Sequence, residues 1–504
     1  MLPTYLRLII VCGGLCCAFF GKSTAQAPSP RLSSLSKVPP DALQADIDSL
    51  ARFLEDAHPN LYAFTTPEEL EAAFAHVRKQ SEDSLTAIEF YHLVNPIIVS
   101  LGDIHSRILL PLAKNEYAIE GGFYLDMRVR YLNGKLYLME GTDSVIAKGS
   151  QLINVNGFSI NEITKSMLGS APTDGTISSS RERMMEVFFK GKLPLYIPVD
   201  SLNQVSFIPY QESDTQTVTV EGIKRWPPPP PMKKRDRPSA REVAEEMFTL
   251  EYLEEGRVAR MKVRSFSASK TKLFERFMKA SFKEINEQKT ETLIIDLRGN
   301  TGGKLYRGKR LMSYLADSAF YYTQFMSIKG GQASKNRLRE RIWWPGLTTK
   351  LFPKALGAIN MAILDAEVGV RDTIARNISW PEKPERRFKG NVYLLIDGLS
   401  ISNSCIFTYA FRRYGIGQVI GVPGGGTETG TFGNTVPFTL PNTSLAGYLA
   451  TIRIHSDSSM AYVPYGLQPN YLVPDRLEDL VEEKDTQLDF ALKLIREARA
   501  LKED

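Results

Sequence analysis

Two short stretches of the sequence combine residue types suited to acyl-transfer chemistry. The stretch LIIDLRGNTGG, residues 293–303, runs from an apolar segment into a glycine-rich turn. Bare backbone N–H groups in such a turn can bind a phosphate, a carboxylate or a developing oxyanion. The second stretch, DGLSISNSC at residues 397–405, offers Ser402 at a predicted strand-to-helix junction, where a side chain is exposed. The pair predicts a serine nucleophile beside an anion-binding turn.

The glycine-rich turn does not match the common nucleotide-binding patterns. The spacing from Gly299 to Lys304 is not that of a Walker motif, and the stretch holds no Rossmann G-x-G-x-x-G. The serine stretch likewise departs from G-x-S-x-G, so an α/β-hydrolase is not supported. Both departures favour the oxyanion interpretation of the turn.

Three serines in the second stretch compete for the nucleophile role. They are Ser400, Ser402 and Ser404. Serines at a helix start also act as caps, so a purely structural role is the alternative. The neighbouring Cys405 is interpreted as a small buried helix residue.

The order of the motifs resembles the carboxyl-terminal processing and tricorn-like serine peptidases, a family that includes the interphotoreceptor retinoid-binding protein. The resemblance is carried by residues 293–303, by SISNS after the apolar strand 392–396, and by VIGVPGGGTETG, FTLPNTSL and YGLQPNYLV in that order. It implies an α/β core of the ClpP/crotonase-like, spiral β/α type. It also implies that Ser402 is the nucleophile and that the N–H groups of Gly303 and Asn403 form the oxyanion hole.

The resemblance also indicates which residue activates the serine. Many processing proteases of the family use a lysine some two dozen residues after the serine, and here Thr427 occupies that place. The tricorn-like branch uses a histidine that precedes the PDZ-like domain, and His105 in LGDIHSRI matches that place. The resemblance therefore implies a Ser402–His105 pair, in a serine endopeptidase acting on a polypeptide substrate.

The third member of the catalytic group stays open. The family places a glutamate shortly before a G-V-x-P-D segment, where this chain has Val463. The candidate substitutes are Asp103, Ser106 and Glu428. The missing lysine and glutamate, together with Trp343-Trp344, also fit an alternative function. That alternative is a catalytically weak or inactive peptide- or lipophile-binding protein on the same scaffold.

The chain divides into five predicted segments. They are a signal peptide (1–25), an N-terminal tether and helical region (26–112), a PDZ-like β-rich domain (113–225), a proline-rich basic linker (226–242) and a peptidase core (243–504) with an insertion at about 326–388. Apolar residues at helical spacing and capping boxes at Thr66 and Thr86 predict the helices of the second segment. A strand–helix–strand pattern before residue 303 predicts a parallel α/β unit in the core.

The N-terminus and the composition indicate where the protein is located and which partners are not expected. Arg7 precedes an apolar run, and Ser23-Thr24-Ala25 fits the cleavage site of a signal peptide. These features predict export across the inner membrane to the periplasm or the exterior. No membrane span is expected after the signal is removed. Of four cysteines only Cys405 would remain, so no internal disulfide is expected. Removal of residues 1–25 would take away Arg7 and Lys22 and lower the net charge from +5 to +3, which is too weak to favour nucleic acid. Without HExxH, paired CxxC or calcium-loop patterns, no metal or cofactor is expected, and the oligomeric state stays open.

Overall fold

The computed structural model describes residues 36–109, 123–141, 145–224, 238–267, 270–341, 358–375, 378–459 and 461–503. The predicted signal peptide, the proline run 227–231 and Trp343-Trp344 lie outside the described residues. Within those ranges, none of the helices combines the length and the apolar character needed to cross a membrane.

The first described region is a layer of helices. It contains β1 (Lys37–Val38), α1 (Pro40–Ala57), α2 (Pro67–Gln80), β2 (Leu85–Thr86) and α3 (Ala87–Ser100). The capping boxes at Thr66 and Thr86 are both formed, so the local sequence sets the starts of α2 and α3. The apolar faces of the layer share a core with Phe438 and Leu449 of the C-terminal region. The helices are thereby fixed to the rest of the molecule.

The second region is a β-rich unit with its own core. It follows β3 (Arg107–Ile108) and contains β4 (Phe123–Tyr124), β5 (Met127–Leu132), β6 (Lys135–Gly141), β7 (Gln151–Val155), β8 (Phe158–Ser159), α4 (Ile160–Gly169), α5 (Ser178–Lys192), β9 (Leu202–Ile208), β10 (Gln216–Glu221) and β11 (Ile223–Lys224). The main sheet has the order β10-β9-β7-β6-β5, with antiparallel neighbours. Asn133-Gly134 forms the predicted two-residue turn between β5 and β6, with positive φ at both residues.

The C-terminal region is an α/β core. Its helices are α6 (Ala240–Met247), α7 (Thr271–Glu287), α8 (Leu305–Ser313), α9 (Gln332–Arg341), α10 (Ala358–Asp365), α11 (Asn403–Arg413), α12 (Leu477–Val481) and α13 (Thr486–Glu503). Its strands are β12 (Phe248–Leu253), β13 (Val258–Val263), β14 (Thr292–Asp296), β15 (Phe320–Tyr321), β16 (Phe325–Lys329), β17 (Arg371–Ala375), β18 (Ile378–Ser379), β19 (Asn391–Ile396), β20 (Gln418–Gly421), β21 (Gly430–Thr439), β22 (Ala446–His455) and β23 (Tyr471–Leu472).

The main sheet of this core has the order β12-β13-β14-β19-β20-β23. Strands β13 to β23 pair in parallel, and only β12 at the edge is antiparallel. The unit β13–α7–β14 is the parallel crossover that the sequence predicts. Because β14 and β19 are parallel neighbours, their carboxyl ends lie together, and so do the glycine-rich turn and the serine turn that follow them.

A second sheet of the core has the order β17-β16-β22-β21, and β3 pairs with β22 at Gly447 and Tyr448. Residues 325–375 overlap the predicted insertion, yet β16 pairs with both β17 and β22. These strands are thus an integral part of the second sheet. The short β3 begins two residues after His105, so the pairing of β3 with β22 holds the His105 loop against the core.

Candidate active site

Ser402 lies between β19 and α11 in a strained backbone conformation. Its φ of 57° and ψ of −118° lie where residues other than glycine are rarely found. The side chain is half-buried and does not cap α11. The turn thus presents the hydroxyl instead of tying it to the helix, which is the arrangement of a nucleophile.

The two neighbouring serines have structural bonds. Ser400 Oγ accepts from the N–H of Asp397 at 3.0 Å and donates to the carbonyl of Leu297 at 2.9 Å. Ser404 Oγ donates to the carbonyl of Asn300 at 2.8 Å. Both side chains are buried, whereas Ser402 Oγ makes no hydrogen bond with any described residue. Of the three candidates, Ser402 alone combines access with a free hydroxyl.

Cys405 is buried one helical turn after Ser402. Burial raises the pKa of its thiol to about 12, so the thiol stays protonated at neutral pH. This agrees with its interpretation as a packing residue.

The glycine-rich turn approaches the serine turn through Gly302. A Cβ at Gly302 would lie 2.7 Å from Ser402 Cβ and 2.8 Å from the nitrogen of Asn403, and its φ is +90°. A Cβ at Gly303 would instead point at Ser267, 2.3 Å from its Oγ. Gly302 is therefore the residue whose missing side chain lets the two turns touch, and sequence reasoning singled out only Gly303.

The glycine-rich turn and the serine turn each contain a backbone N–H group without a hydrogen-bond partner among the described residues. Neither the N–H of Gly303 nor that of Asn403 donates a hydrogen bond within the described residues. Asn403 is fully buried: its Nδ2 donates to the carbonyl of Lys304 at 2.9 Å, and its Oδ1 accepts from the Tyr322 hydroxyl at 2.7 Å. The Asn403 side chain thus fixes the start of α11 against the end of the glycine turn. The arrangement suits an oxyanion with two donors.

His105 lies in a loop with a buried carboxylate. Its Nδ1 is 3.6 Å from Asp103 Oδ1, and its side chain is 18% exposed. Asp103 also lies 3.3 Å, through Oδ2, from Nε2 of the fully buried His58, and it accepts from the Ser106 hydroxyl. Burial opposes ionisation of Asp103, but its interactions with the two nearby histidines outweigh burial and hold its pKa below the ordinary range. Asp103 is thus a buried anion facing two imidazoles.

Asp174, from the turn between α4 and α5, is a second buried carboxylate in this cluster. Its Oδ1 accepts from the N–H of Ile104 at 2.9 Å, and its Oδ2 accepts from the Thr431 hydroxyl at 2.6 Å. Burial raises the pKa of Asp174 to about 6. Sequence reasoning missed this residue, because Pro172 to Gly175 have the composition of an ordinary turn.

Arg453 supplies the positive charge of the cluster from β22. It is fully buried and lies over the rings of Phe432 and Tyr462, with its Cζ at 4.7 and 5.0 Å from the ring centroids. Its Nη2 donates to Thr427 Oγ1 at 3.0 Å. Thr427, at the place of the family's lysine, therefore contacts an arginine from a distant strand.

Apolar packing and electrostatic interactions link the His105 loop with the Ser402 turn. Ile104 shares a buried apolar cluster with Leu399 and Ile401, the residues just before Ser402. Asp174 interacts electrostatically both with His105 and with Cys405. The loops that carry two candidates 297 positions apart in the sequence thus pack against each other.

The other predicted candidates are placed differently. Ser106 Oγ bonds Asp103 and accepts from the N–H of Ala450 at 3.0 Å, so it holds the loop. The N–H of Glu428 donates to the carbonyl of Tyr465, and that of Val463 donates to Thr429 Oγ1. Among the three substitutes for the third member, Asp103 is the one that contacts His105.

The cluster also bears on the expectation that the chain holds no metal. One ligand atom each from Asp103, His105 and Asp174 lie within 4.8 Å of one another. Two carboxylates and an imidazole can hold a divalent cation, but the nearby Arg453 opposes a further positive charge.

Comparisons with known proteins agree with this architecture. Residues 257–473 match the family model described as Peptidase family S41. No curated protein sequence matches the chain. The crystal structure of mature CPAF aligns with a TM-score of 0.59 and 14% identity over 87% of this chain and 94% of that chain.

A serine-to-alanine mutant of CPAF aligns with a TM-score of 0.62 and 14% identity over 88% of this chain and 94% of that chain. At this identity, the likeness shows a common fold. The family match over β13 to β23 supports a peptidase. Residues 257–473 of the α/β core are thus similar to the domain described as Peptidase family S41.

Proposed function

We propose that the chain is a secreted serine endopeptidase that cleaves peptide bonds through an acyl-enzyme on Ser402. The observation that carries this proposal is the free, half-buried hydroxyl of Ser402 on a strained turn, next to two unbonded N–H groups. Ser400 and Ser404 have structural partners instead. Acyl transfer requires an accessible serine and free N–H donors for the oxyanion.

In the first step, Ser402 Oγ attacks the carbonyl carbon of the peptide bond while His105 accepts the hydroxyl proton. Because Nδ1 of His105 faces Asp103, Nε2 is the nitrogen left for this transfer. The carbonyl oxygen becomes an oxyanion between the N–H groups of Gly303 and Asn403. Each such donor contributes about 3–4 kcal/mol to transition-state stabilisation.

In the second step, the C–N bond breaks and the imidazolium of His105 gives its proton to the leaving amine. A water molecule then attacks the acyl-enzyme while His105 accepts its proton. As the acyl C–O bond breaks, His105 returns this proton to Ser402 Oγ, and the carboxylic product leaves. Asp103 stays ionised throughout and stabilises the imidazolium, which is the role of the third member of such a group.

The proposal also covers the localisation of the protein and the role of its β-rich region. Export follows from the predicted signal at residues 1–25, and it would place the protein in the periplasm or outside the cell. The β-rich region would be a PDZ-like module. Its stretch KGSQLINVNG, residues 148–157, resembles the turn and strand of a PDZ domain and contains β7, and β8 and then α4 follow. Such modules hold peptide ends by strand addition. The alternative, an inactive binding protein, is not favoured, because the core matches a peptidase family.

A fluorophosphonate probe tests the proposal directly, because it reacts only with an activated serine. Wild type should be labelled and should digest an unfolded protein substrate, and Ser402→Ala should do neither. Ser444→Ala is the matched control, since Ser444 is also a serine at positive φ, 58°, but is exposed on a hairpin. An unlabelled wild type would overturn the proposed function and favour the binding protein.

A further inference from the structure

One short segment of the β-rich region contacts each loop that carries a candidate catalytic group. This segment, residues 174–183, joins α4 to α5 and includes the first residues of α5. Its first two residues hold the His105 loop: Asp174 Oδ1 accepts from Ile104 N–H at 2.9 Å, and Gly175 N–H donates to the carbonyl of Gly102 at 2.9 Å. The backbone on both sides of Asp103 is thereby attached to the β-rich region.

The rest of the segment holds the loops around Ser402. Ser179 Oγ donates to the carbonyl of Pro423 at 2.7 Å, and Arg183 Nε lies 3.4 Å from Asp397 Oδ2. Asp397 in turn accepts from the N–H of Gly299 at 2.8 Å. One polar chain therefore connects α5 with the serine turn and the glycine-rich turn.

We propose that Asp174 is a positioning residue for the His105 base, so that the β-rich region completes the active site of the core. This inference rests on the proposed function. It assigns a role to a carboxylate that the catalytic steps do not use. Asp174 acts through the backbone next to His105 and touches no reacting atom.

The bonding of Asp174 supports a positioning role. The residue is fully buried, and its two oxygens hold two separate elements: the loop before His105 and Thr431 at the start of β21. Burying a carboxylate is costly without compensating bonds and charges. The charged groups around it are His105, Asp103 and Arg453, and the Cys405 thiol is also near. A substitution at Asp174 would therefore change both the position of His105 and the charge around it.

The chain offers a matched control for Asp174. Asp46 is also fully buried, accepts from the N–H of Asn442 at 2.9 Å and accepts from the Thr443 hydroxyl at 2.6 Å. It thus has the same kind of partners, a backbone N–H and a threonine hydroxyl, but it holds a hairpin against α1. Asp174→Asn and Asp46→Asn remove the same charge from the same kind of site.

The experiment measures kcat, KM, fluorophosphonate labelling and thermal midpoint for wild type, Asp174→Asn and Asp46→Asn. A base displaced by about 1 Å costs up to roughly 100-fold in rate. We expect Asp174→Asn to lower kcat by about 10- to 100-fold with KM within about twofold, and to slow labelling in parallel. Asp46→Asn should lower only the thermal midpoint.

Thr431→Val provides a second test if Asp174→Asn fails to fold. It removes one partner of Asp174 and keeps the carboxylate, and we expect a smaller loss of kcat in the same direction. Equal kcat in wild type, Asp174→Asn and Thr431→Val, or equal losses in Asp174→Asn and Asp46→Asn, would overturn the positioning role while the proposed function stands. A wild type that neither labels nor hydrolyses would overturn the proposed function, and the positioning role with it.

Discussion

Two buried carboxylates at the edge of the core have opposite surroundings. Asp296, at the end of β14, accepts from Arg298 Nη2 at 2.8 Å and Nε at 3.0 Å, and from Arg260 Nη2 at 2.6 Å. Asp103, in the His105 loop, faces two imidazoles at 3.3 and 3.6 Å. Both carboxylates are fully buried, so the difference lies in their partners.

From this difference we expect a structural role for the Asp296 cluster and a reactive role for the Asp103 cluster. Guanidinium groups stay charged and bind a carboxylate with two N–H groups, so Asp296 is held rigidly beneath the glycine-rich turn. Nε2 of His58 and Nδ1 of His105 have no hydrogen-bond partner of good geometry within the described residues. Imidazoles can gain and lose a proton near neutral pH, so loosely bonded histidines are suited to proton transfer. We expect the first cluster to determine stability and the second to determine turnover.

The largest expected effect is that of Ser402→Ala. Removal of the nucleophile should lower kcat by at least about 10³-fold, because the remaining groups cannot form the acyl-enzyme. The measurement is digestion of an unfolded protein, with the thermal midpoint as the control for folding. Substantial residual cleavage would indicate that Ser400 or Ser404 is the nucleophile and would contradict the assignment of the reactive cluster.

His105→Ala should lose nearly as much activity as Ser402→Ala. Members of such a group act as a unit, so the double variant should be hardly less active than either single variant. Steady-state kinetics of the three variants provides the measurement. If the losses of activity in the two single variants add up in the double variant, His105 acts independently of Ser402. The histidine cluster would then not be part of the catalytic group.

Asp296→Asn tests the structural cluster. Removal of one partner from a buried ion pair costs about 3–5 kcal/mol, because the remaining charges stay buried. Urea unfolding measures this change in the free energy of unfolding. The control is Asp48→Asn, since the exposed pair of Asp48 with Arg78 is worth at most about 1 kcal/mol. Equal costs in the two variants would contradict the comparison.

The same cluster predicts a pH dependence of stability. Burial opposes ionisation of Asp296, but Arg298 and Arg260 outweigh it and hold the pKa of Asp296 below its ordinary value. A depressed pKa in the folded state adds stability above the unfolded value of 3.8, and this stability is lost as the pH falls. Wild type should therefore lose more stability than Asp296→Asn between pH 6 and pH 3, as urea midpoints would show. Parallel losses would contradict the prediction.

The smallest expected effect is that of Gly302→Ala. The added methyl group would meet Ser402 and Asn403 at 2.7–2.8 Å, so kcat should fall by roughly 10- to 100-fold as the two turns separate. Gly299→Ala is the control, because Gly299 also has positive φ, +72°, but its Cβ would meet no atom within 4 Å. Similar kcat values for the two variants would show that the close contact at Gly302 does not matter.

Several features could be predicted because they depend on residues close in sequence. The capping boxes at Thr66 and Thr86 need only contacts between a residue and the third one after it. The apolar run before Asp296 predicts a buried strand, and the glycines after it predict a turn. The serine at the start of α11 follows from the same kind of local pattern.

The partners of these elements were decided by the tertiary structure. Asp174 reaches Ile104 across 70 positions, and Arg453 reaches Thr427 across 26, and neither contact leaves a periodic signal in the sequence. His58 follows a helix end in the sequence, yet it contacts Asp103 in the fold. The sequence alone determined which groups could carry chemistry and which local elements bear them. The pairing of β3 with β22 and the packing of residues 174–183 decided which of those groups meet, because hydrogen bonds and charges act at distances that only folding creates.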